Sequence, residues 1–420
     1  MGFESSLLEH VRGLEPSITR AVSEAVRLRS VTGHEDVAAP FFAELLEGLG
    51  FEVDVWAPTR AELEGKYPYL DREERLGERH NVVGVRRGKR SGPTLVVNGH
   101  IDVVPAGDAS RWLLDPFGGV VAGGAVHGRG ACDMKGPLIA AVYAVAALLE
   151  HGFEPPGDVI VQCVIAEETG GMGTVAALER GYVGDVAVVP EPTELAICPA
   201  QAGLVKWRIE VPGRSCHTAV PWEGVSAFEK WQVVYAALKD LAASREATLS
   251  HPLFDPLPQK APFACGKVHA GDWPYILPDL LVAQGRIGAL PHEPLAELRA
   301  AFERAVAEAA AGDPWLRENP PKVTWIDGDF PGWEVSTEHP FVAAFSSALA
   351  AVTREPAQPV GVTYGTDASF MVGRGTTPVV FGAGSISHAH REDEHVRVDD
   401  LITQAQATAL GILYWSDSVG

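Results

Sequence analysis

A histidine and an aspartate two residues apart are the first residues along the chain whose types could hold a metal ion. They are His100 and Asp102, which close the run Leu-Val-Val-Asn-Gly-His-Ile-Asp. If this run is a strand, side chains two residues apart point to the same side. A metal-bound imidazole needs its other nitrogen held, and a nearby carboxylate is the usual partner. A structural histidine–aspartate pair explains the same spacing, so both interpretations stay open.

A second candidate, Asp133, lies in the glycine-rich segment Gly128-Arg-Gly-Ala-Cys-Asp-Met-Lys-Gly, directly before an apolar, Ala-rich stretch. An aspartate at the start of a helix commonly caps it, because its side chain accepts a backbone N–H. Alternatively, the two carboxylate oxygens of Asp133 can bridge two cations. A phosphate-binding loop is the third interpretation, but the Walker spacing is absent.

Three glutamates follow two further apolar runs. Glu167 and Glu168 come directly after Val-Ile-Ala, and Glu191 lies between two prolines after Val-Ala-Val-Val. Adjacent carboxylates at a buried strand end repel each other unless a cation or a shared proton compensates. A solvated turn explains the first pair equally well, and Glu191 could be an ordinary loop residue.

The segment His388-Ala-His390-Arg-Glu-Asp-Glu394 could supply one more ligand, although a solvated charged loop would have the same composition. No single motif decides the matter. Each of them, however, follows an apolar run of one predicted sheet, and open α/β sheets place their ligand sites at such strand ends. The coincidence therefore predicts one metal-binding site.

The elements that must position these residues alternate between strands and helices, which predicts an α/β domain with a largely parallel sheet. The predicted strands and helices of this domain are 81–85, 94–98, 137–149, 159–166, 174–180, 185–189, 341–352 and 378–382. The charged segment 60–80 is predicted to be a surface insertion.

The order of predicted strands and helices changes near residue 202. It becomes β-α-β-β-α-β, which predicts an inserted ferredoxin-like (split βαβ) domain. Its predicted elements are 204–211, 226–243, 263–268, 280–286, 291–311 and 323–326. A chain of 420 residues also exceeds the usual size of one hydrophobic core. We therefore predict a catalytic domain in two parts, 1–200 and 329–420, and an inserted dimerisation domain, 201–328.

The charge balance limits the possible partners. Lys and Arg total 34 against 55 Asp and Glu, a formal net charge of -21, and such a surface repels nucleic acid and anionic membranes. The longest apolar helix, 137–149, is too short to cross a bilayer. The N-terminus lacks the features of a secretory signal, and the five cysteines show no paired spacing. These observations predict a cytoplasmic protein with reduced thiols and a small-molecule substrate.

The ordered set of motifs resembles the M20 metallopeptidase family, which includes acetylornithine deacetylase, succinyl-diaminopimelate desuccinylase, aminoacylase-1 and carboxypeptidase G2. The resemblance spans nearly the whole chain and is carried by Gly-His-x-Asp, Gly-Arg-Gly-x-x-Asp-Met-Lys-Gly, Glu-Glu-x-x-Gly, Glu-Pro-Thr and His-x-x-x-Glu. By position it implies a bridging ligand, Asp133; ligands of one metal, His100 and Glu191; ligands of the other, Glu168 and His390; an aspartate that orients His100, Asp102; and a general base, Glu167.

The resemblance also implies the chemistry. Two divalent cations would lower the pKa of a shared water and polarise the scissile carbonyl, while Glu167 would carry the water's proton to the leaving amine. Ligation by histidine nitrogen and carboxylate oxygen suits zinc, with manganese or cobalt as alternatives. A cis peptide bond after Asp133 is a further implication.

The segment Gly213-Arg-Ser-Cys-His217-Thr resembles the inserted-domain signature of the same family. In that family the histidine reaches the active site of a partner subunit and stabilises the tetrahedral oxyanion. The resemblance therefore implies a catalytic role for His217 and a homodimer; without it, a plain surface-loop histidine would be expected.

Two departures from the family pattern concern the substrate. Tyr275 stands where an asparagine is common, and Gln284-Gly-Arg286 replaces the usual Asp-x-Arg. Arg286 remains available to bind a substrate carboxylate. Tyr275, with Trp222 and Trp273, either lines an aromatic pocket or packs within the insert or the dimer contact.

The leading hypothesis from the sequence is a hydrolase of N-acyl amino acids, similar to acetylornithine deacetylase. The nearest alternative is a dipeptidase or carboxypeptidase, and a more remote one is hydrolytic deamination of an aromatic acid such as a substituted aminobenzoate. A non-catalytic relative that keeps only the fold would be expected to lack ligands or the base, and this chain has all of them.

Overall fold

The structure is a computed structural model that describes residues 2–68, 70–73, 75–88 and 92–419. The chain forms two compact units, which we call unit 1 and unit 2. Unit 1 comprises Met1–Ala200, Glu334–Val360 and Thr366–Gly420, and unit 2 comprises Gln201–Trp333 and Gly361–Gly365.

The strands of the described residues are, in chain order, β1 Glu52–Trp56, β2 Asn81–Arg86, β3 Leu95–His100, β4 Val120–Ala122, β5 Ala125–His127, β6 Val159–Val164, β7 Val186–Val189, β8 Ala200–Gln201, β9 Gly203–Pro212, β10 Phe263–Ala270, β11 Leu280–Ala289, β12 Lys322–Phe330, β13 Trp333–Glu334, β14 Gly361–Val362, β15 Thr377–Val380 and β16 His395–Arg397. The helices are α1 Phe3–Gly13, α2 Glu15–Arg27, α3 Ala39–Gly48, α4 Arg60–Leu63, α5 Lys135–Glu150, α6 Met172–Glu179, α7 Ala227–Thr248, α8 Leu295–Gly312, α9 Pro314–Glu318, α10 Pro340–Thr353, α11 Ala368–Val372 and α12 Val398–Val419.

Unit 1 contains a six-stranded sheet of order β1-β2-β6-β3-β7-β15. Strands β6, β3, β7 and β15 run parallel, while β1 and β2 pair antiparallel at one side. Every residue of β3, β6 and β7 is buried, as expected for strands covered on both faces. The predicted α/β class with a mostly parallel sheet is confirmed.

Helix α5 is the central helix of unit 1. Its sequence is apolar all round, so it has no polar face to present to water, and it is buried along nearly its whole length. It packs against α12, which also packs against α10. Phe341 on α10 lies against Trp415 on α12, with ring centroids 5.5 Å apart. Asp133 precedes α5 by two residues, so this rigid helix positions it.

Unit 2 contains an antiparallel sheet of order β10-β11-β9-β12. Residues of β9 alternate between buried and half-buried, and Trp207 at its centre is fully buried against the rings of Trp231, Phe263 and Phe302. With α7 and α8, this arrangement has the split βαβ order that the sequence predicts.

Helix α7 is longer than the sequence predicts. Helix α7 continues to Thr248 instead of ending at 243. Its last turn is polar, so hydrophobic periodicity does not reveal it, but Arg245 binds Glu293 and the carbonyl of Gly288 at 2.6 and 2.9 Å.

The segment 60–80 is predicted to be a surface insertion, and many of its described residues are exposed, but four of them, Leu63, Tyr67, Leu70 and Arg79, are buried. Arg60 and Asp71 form an exposed ion pair, whereas Arg79 forms buried ion pairs with Glu35 and Glu73. All five cysteines are free, and none of the helices in the described ranges is long and apolar enough to cross a membrane.

Candidate metal centre

The predicted metal ligands come together at the carboxyl ends of the parallel strands in unit 1. His100 is the last residue of β3, Glu168 follows β6, and Glu191 follows β7. Asp133 precedes α5, and His390 lies in the loop between β15 and β16. Because parallel strands all end at the same edge of the sheet, residues far apart in the chain converge there.

Asp133 lies between the two histidines. Its Oδ1 is 3.2 Å from Nε2 of His100, and its Oδ2 is 3.2 Å from Nε2 of His390. Each carboxylate oxygen therefore faces a different histidine, as a bridging ligand requires. The peptide bond from Asp133 to Met134 is cis, as the resemblance implies.

The remaining predicted ligands divide between the same two histidines. Oε2 of Glu168 lies 3.0 Å from Nε2 of His390, and Oε1 of Glu191 lies 3.9 Å from Nε2 of His100. His100 and Glu191 are buried, whereas His390 is exposed. The cluster therefore has a closed half around His100 and a half open to solvent around His390.

Asp102 contacts His100 differently from the sequence expectation. Nδ1 of His100 bonds the main-chain carbonyl of Asp102 at 2.8 Å, while the Asp102 carboxylate is 3.6 Å away. That carboxylate instead accepts hydrogen bonds from the hydroxyl of Thr32 at 2.8 Å and from the backbone N–H groups of Glu167 and Glu168 at 3.2 and 3.3 Å. Asp102 thus holds both the imidazole and the turn that carries the two glutamates.

The cluster carries excess negative charge. Burial raises the pKa values of Glu167 and Glu191 well above their ordinary range, and the neighbouring carboxylates add to that effect. Hydrogen bonds to Asp133 and Glu168 raise the pKa of His390 to about 11. Burial alone would lower the pKa of His100, but the hydrogen bond to Asp133 and the surrounding carboxylates outweigh it, so this pKa is raised. Such a buried set of acids needs positive charge to stay ionised.

The donor set fits divalent cations. One ligand atom from each of His100, Asp133 and Glu168 lies within 4.8 Å of the other two, so the ligands proposed for the two ions meet at Asp133. The donors are imidazole nitrogens and carboxylate oxygens, which suit zinc and related ions. Glu167 is 8% exposed beside this cluster and is not needed as a ligand, so its carboxylate is available for proton transfer.

Glu394 is a site residue whose structural role the sequence did not reveal. It is fully buried, and it accepts hydrogen bonds from Arg129 at 2.5 Å and from the N–H groups of Gly130, Cys132 and Asp133 at 2.9 to 3.1 Å. It therefore holds the loop that carries Asp133. Its surroundings in the sequence are charged, which suggested a solvated loop, and only its spacing from His390 could have drawn attention to it.

A second unforeseen feature is a buried polar chain beneath the site. The Asn98 side-chain amide donates to Gln162 and Thr174, each at 2.8 Å, and the hydroxyl of Thr174 donates to Asp367 at 2.7 Å. Burial raises the pKa of Asp367 to about 7. The sequence does carry a signal for this buried polar chain, because Asn98 and Gln162 are polar residues within otherwise apolar, valine-rich strands.

The other three predicted site residues, His217, Tyr275 and Arg286, belong to unit 2. Nδ1 of His217 accepts the N–H of Ala219 at 3.0 Å, and the N–H of Thr218 donates to the carbonyl of Tyr275 at 3.1 Å. His217 and Tyr275 therefore lie on adjoining segments of this unit.

The aromatic residues near His217 are exposed within unit 2. Trp222, Trp273 and Tyr275 are 73%, 61% and 60% exposed, and the rings of Trp273 and Tyr275 meet edge to face. Arg286 is half-buried and donates through Nη2 to the carbonyl of Thr363. Burial lowers the pKa of Arg286 to about 10, and its Nε has no acceptor among the described residues.

Known proteins resemble this chain along most of its length. A deformylase of N-formyl-4-amino-5-aminomethyl-2-methylpyrimidine from Bacillus subtilis (strain 168) is 30% identical over 89% of this chain and 88% of its own. An acetylornithine deacetylase from Vibrio atlanticus (strain LGP32) is 29% identical over 76% of this chain and 80% of its own. The solved structure of the dipeptidase Dug1p from Saccharomyces cerevisiae shares the fold over the whole of both chains, with a TM-score of 0.80 and 16% identity.

The profile of peptidase family M20/M25/M40 matches residues 96–413, a range that includes every metal-ligand candidate described above. The chain therefore belongs to peptidase family M20/M25/M40 and is a hydrolase of amide or peptide bonds.

Proposed function

We propose that this chain hydrolyses the amide bond of a small N-acyl amine at a centre of two divalent cations. We propose zinc as the metal. The observation that carries the proposal is the placement of Asp133, with one carboxylate oxygen facing each of two histidines, beside the buried carboxylate of Glu167. His100 and Glu191 would complete one metal site, and Glu168 and His390 the other.

In this reaction a water oxygen forms a bond to the acyl carbon, and the bond from that carbon to nitrogen breaks. The two cations would polarise the carbonyl and lower the pKa of the attacking water. Glu167 takes the water's proton and delivers it to the departing nitrogen, so that a carboxylate and an amine leave. The turn of Glu167 and Glu168, held by Asp102, keeps the proton acceptor next to the metal ligands.

We propose an N-formylated aminomethylpyrimidine as the substrate. The support is the extent of similarity to the deformylase, which covers 89% of this chain at 30% identity, against 76% for the acetylornithine deacetylase at 29%. The exposed rings of Trp273 and Tyr275 next to the segment of His217 favour a flat aromatic substrate, because aromatic rings stack on one another.

An N-acyl amino acid is the second candidate, and Arg286 is the observation that favours it. Its guanidinium has an Nε without an acceptor, and a paired N–H geometry of this kind suits a substrate carboxylate. The pyrimidine formamide has no carboxylate, so Arg286 separates the two candidates.

A substrate panel tests both. We expect the metal-loaded protein to release formate and amine in equal amounts from the pyrimidine formamide with a higher kcat/KM than from N-acetylornithine, other N-acyl amino acids, dipeptides or aminobenzoates. Arg286→Met should leave kcat/KM for the formamide within about threefold of wild type. For a substrate whose carboxylate binds Arg286, the same substitution should lower kcat/KM about 10- to 100-fold. A higher kcat/KM for acyl amino acids, lost in Arg286→Met, would establish the second candidate. No turnover of any amide would overturn the proposal.

We also propose that the protein is a homodimer in which His217 of one subunit completes the site of the other. The support is the resemblance of the segment around His217, together with its place outside unit 1. Glu167→Gln and His217→Ala should each be nearly inactive. After their subunits are mixed and exchanged, half of the dimers carry one intact site of two, so about a quarter of the wild-type activity should return. No recovery would show that His217 does not act across subunits.

A further inference from the structure

The turn after β6, which carries Glu167 and Glu168, is held by two buried carboxylates. The N–H groups of Glu167 and Glu168 donate to Asp102 at 3.2 and 3.3 Å, and the N–H of Ala166 donates to Oε1 of Glu35 at 3.3 Å. Three successive amides are thus bound by side chains from two other segments of the chain.

This turn needs such support. Ala166 has a φ of 59°, the left-handed region that residues other than glycine seldom adopt, so the surrounding contacts must hold it there. The conformation sets the directions of the next two side chains. Glu168 points to His390, and Glu167 must point to the reacting atoms. A small rotation at Ala166 would therefore move both carboxylates.

Glu35 is itself held by Arg79 in a bidentate ion pair. Nε of Arg79 donates to Oε2 of Glu35 at 2.8 Å, and Nη2 donates to Oε1 at 2.6 Å. The third nitrogen, Nη1, donates to Glu73 at 2.7 Å. Glu35 is fully buried and Arg79 is 2% exposed. The two oxygens of Glu35 are thus fixed by a rigid fork, and one of them meets the N–H of Ala166.

A buried ion pair of this kind contributes little to stability over well-packed apolar residues, because both charges must leave water. The desolvation cost of the two charges is explained if the pair specifies a backbone conformation. The pair lies outside the ligand set, and Glu35 is hydrogen-bonded to the turn of the site through the N–H of Ala166.

We propose that Glu35 and Arg79 form a positioning pair for amide hydrolysis, which holds the turn of Ala166 so that Glu167 meets the attacking water. The inference rests on the proposed role of Glu167 as the general base. Neither residue of the pair touches substrate or metal in this scheme. Their effect passes through the backbone of Ala166.

Three variants of the full chain test this. Arg79→Met leaves the buried carboxylates of Glu35 and Glu73 without their ion-pair partner. Glu35→Leu/Arg79→Met removes both charges and the acceptor of the Ala166 N–H. Glu35→Gln/Arg79→Met also removes both charges but keeps a side-chain oxygen at that place. Asp54→Asn, which breaks the solvent-accessible pair with Arg180 on the same unit, is the matched control.

We expect Arg79→Met to lower the Tm because Glu35 and Glu73 both lose their ion-pair partner. Both double variants should recover the part of that loss that comes from the unpaired charge of Glu35. In Glu35→Leu/Arg79→Met, kcat should stay about 10²-fold low with KM within about threefold, since misplacement of a catalytic group by a remote change has that effect. Glu35→Gln/Arg79→Met should have a kcat about tenfold above the Leu double variant. The control should keep the wild-type Tm and kcat.

Hydrogen exchange gives a readout that does not depend on turnover. Amides in the segment 159–171 should exchange at least about tenfold faster in the Leu double variant than in wild type, with other β-strands unchanged. If kcat recovers together with the Tm, or if the two double variants have equal kcat, the pair is only structural and the inference is wrong. If wild type turns over no amide while exchange changes as expected, the proposed function fails and the support of the turn stands.

Discussion

Glu167→Gln is expected to lower kcat by about 10²- to 10⁴-fold while both metal ions stay bound. The amide has the shape of the carboxylate but cannot accept the water's proton. The five proposed ligands are unchanged, and the backbone N–H of residue 167 can still donate to Asp102. Steady-state kinetics on the pyrimidine formamide, with metal analysis of the same sample, measures both quantities.

Glu47→Gln is the matched control, because Glu47 is an exposed glutamate of unit 1 far from the ligand set in sequence. Its kcat should stay within about twofold of wild type, as surface substitutions seldom matter. A kcat for Glu167→Gln within tenfold of wild type would show that another group takes the proton. Loss of metal from the variant would instead make Glu167 a ligand.

Asp133→Asn is expected to leave less than one metal ion per chain and to lower kcat/KM by at least about 10²-fold. Changes to residues that merely support a ligand already cost about 10- to 100-fold in metal affinity. In Asp133 both oxygens are used, each 3.2 Å from the Nε2 of a different histidine. Asparagine keeps one oxygen and loses the negative charge, so it cannot bridge two cations.

Inductively coupled plasma analysis after dialysis measures the metal content, and activity after addition of excess zinc shows whether the lost ion can be replaced. Asp108→Asn, at an exposed turn where the Asp108 carboxylate accepts the N–H of Ser110, is the control and should keep two ions per chain. If Asp133→Asn also keeps two ions at wild-type affinity, Asp133 does not bridge them and the proposed arrangement of the centre is wrong.

The same centre shows how far local sequence patterns reach. The valine-rich strands β3 and β6 and the apolar helix α5 follow from hydrophobic runs, since a segment that is apolar on all sides must be buried. The order of the strand ends then brings His100, Glu168 and Glu191 to one edge of the sheet. These elements needed no knowledge of tertiary contacts.

Charged segments were the least predictable. The segment of Arg79 and the segment of Glu394 both have the composition of solvated loops, yet both residues are buried. Their partners lie far along the chain: Glu35 is 44 residues from Arg79, and Glu394 is 265 residues from Arg129. A charged side chain is buried only where it pairs with an opposite charge or accepts hydrogen bonds from N–H groups. Such partners come from segments remote in sequence, so a local sequence pattern does not predict them.

The sequence by itself therefore determined the α/β class and the split βαβ order of the second unit, because these depend on residue type and periodicity. The candidate metal ligands followed from the motifs that resemble the M20 family. Only the tertiary structure decided that Asp133 faces both histidines, that Asp102 holds a turn as well as an imidazole, and that Glu35 and Arg79 reach that turn. Distances between side chains are set by the packing of segments remote in sequence, so they emerge only when the chain is folded.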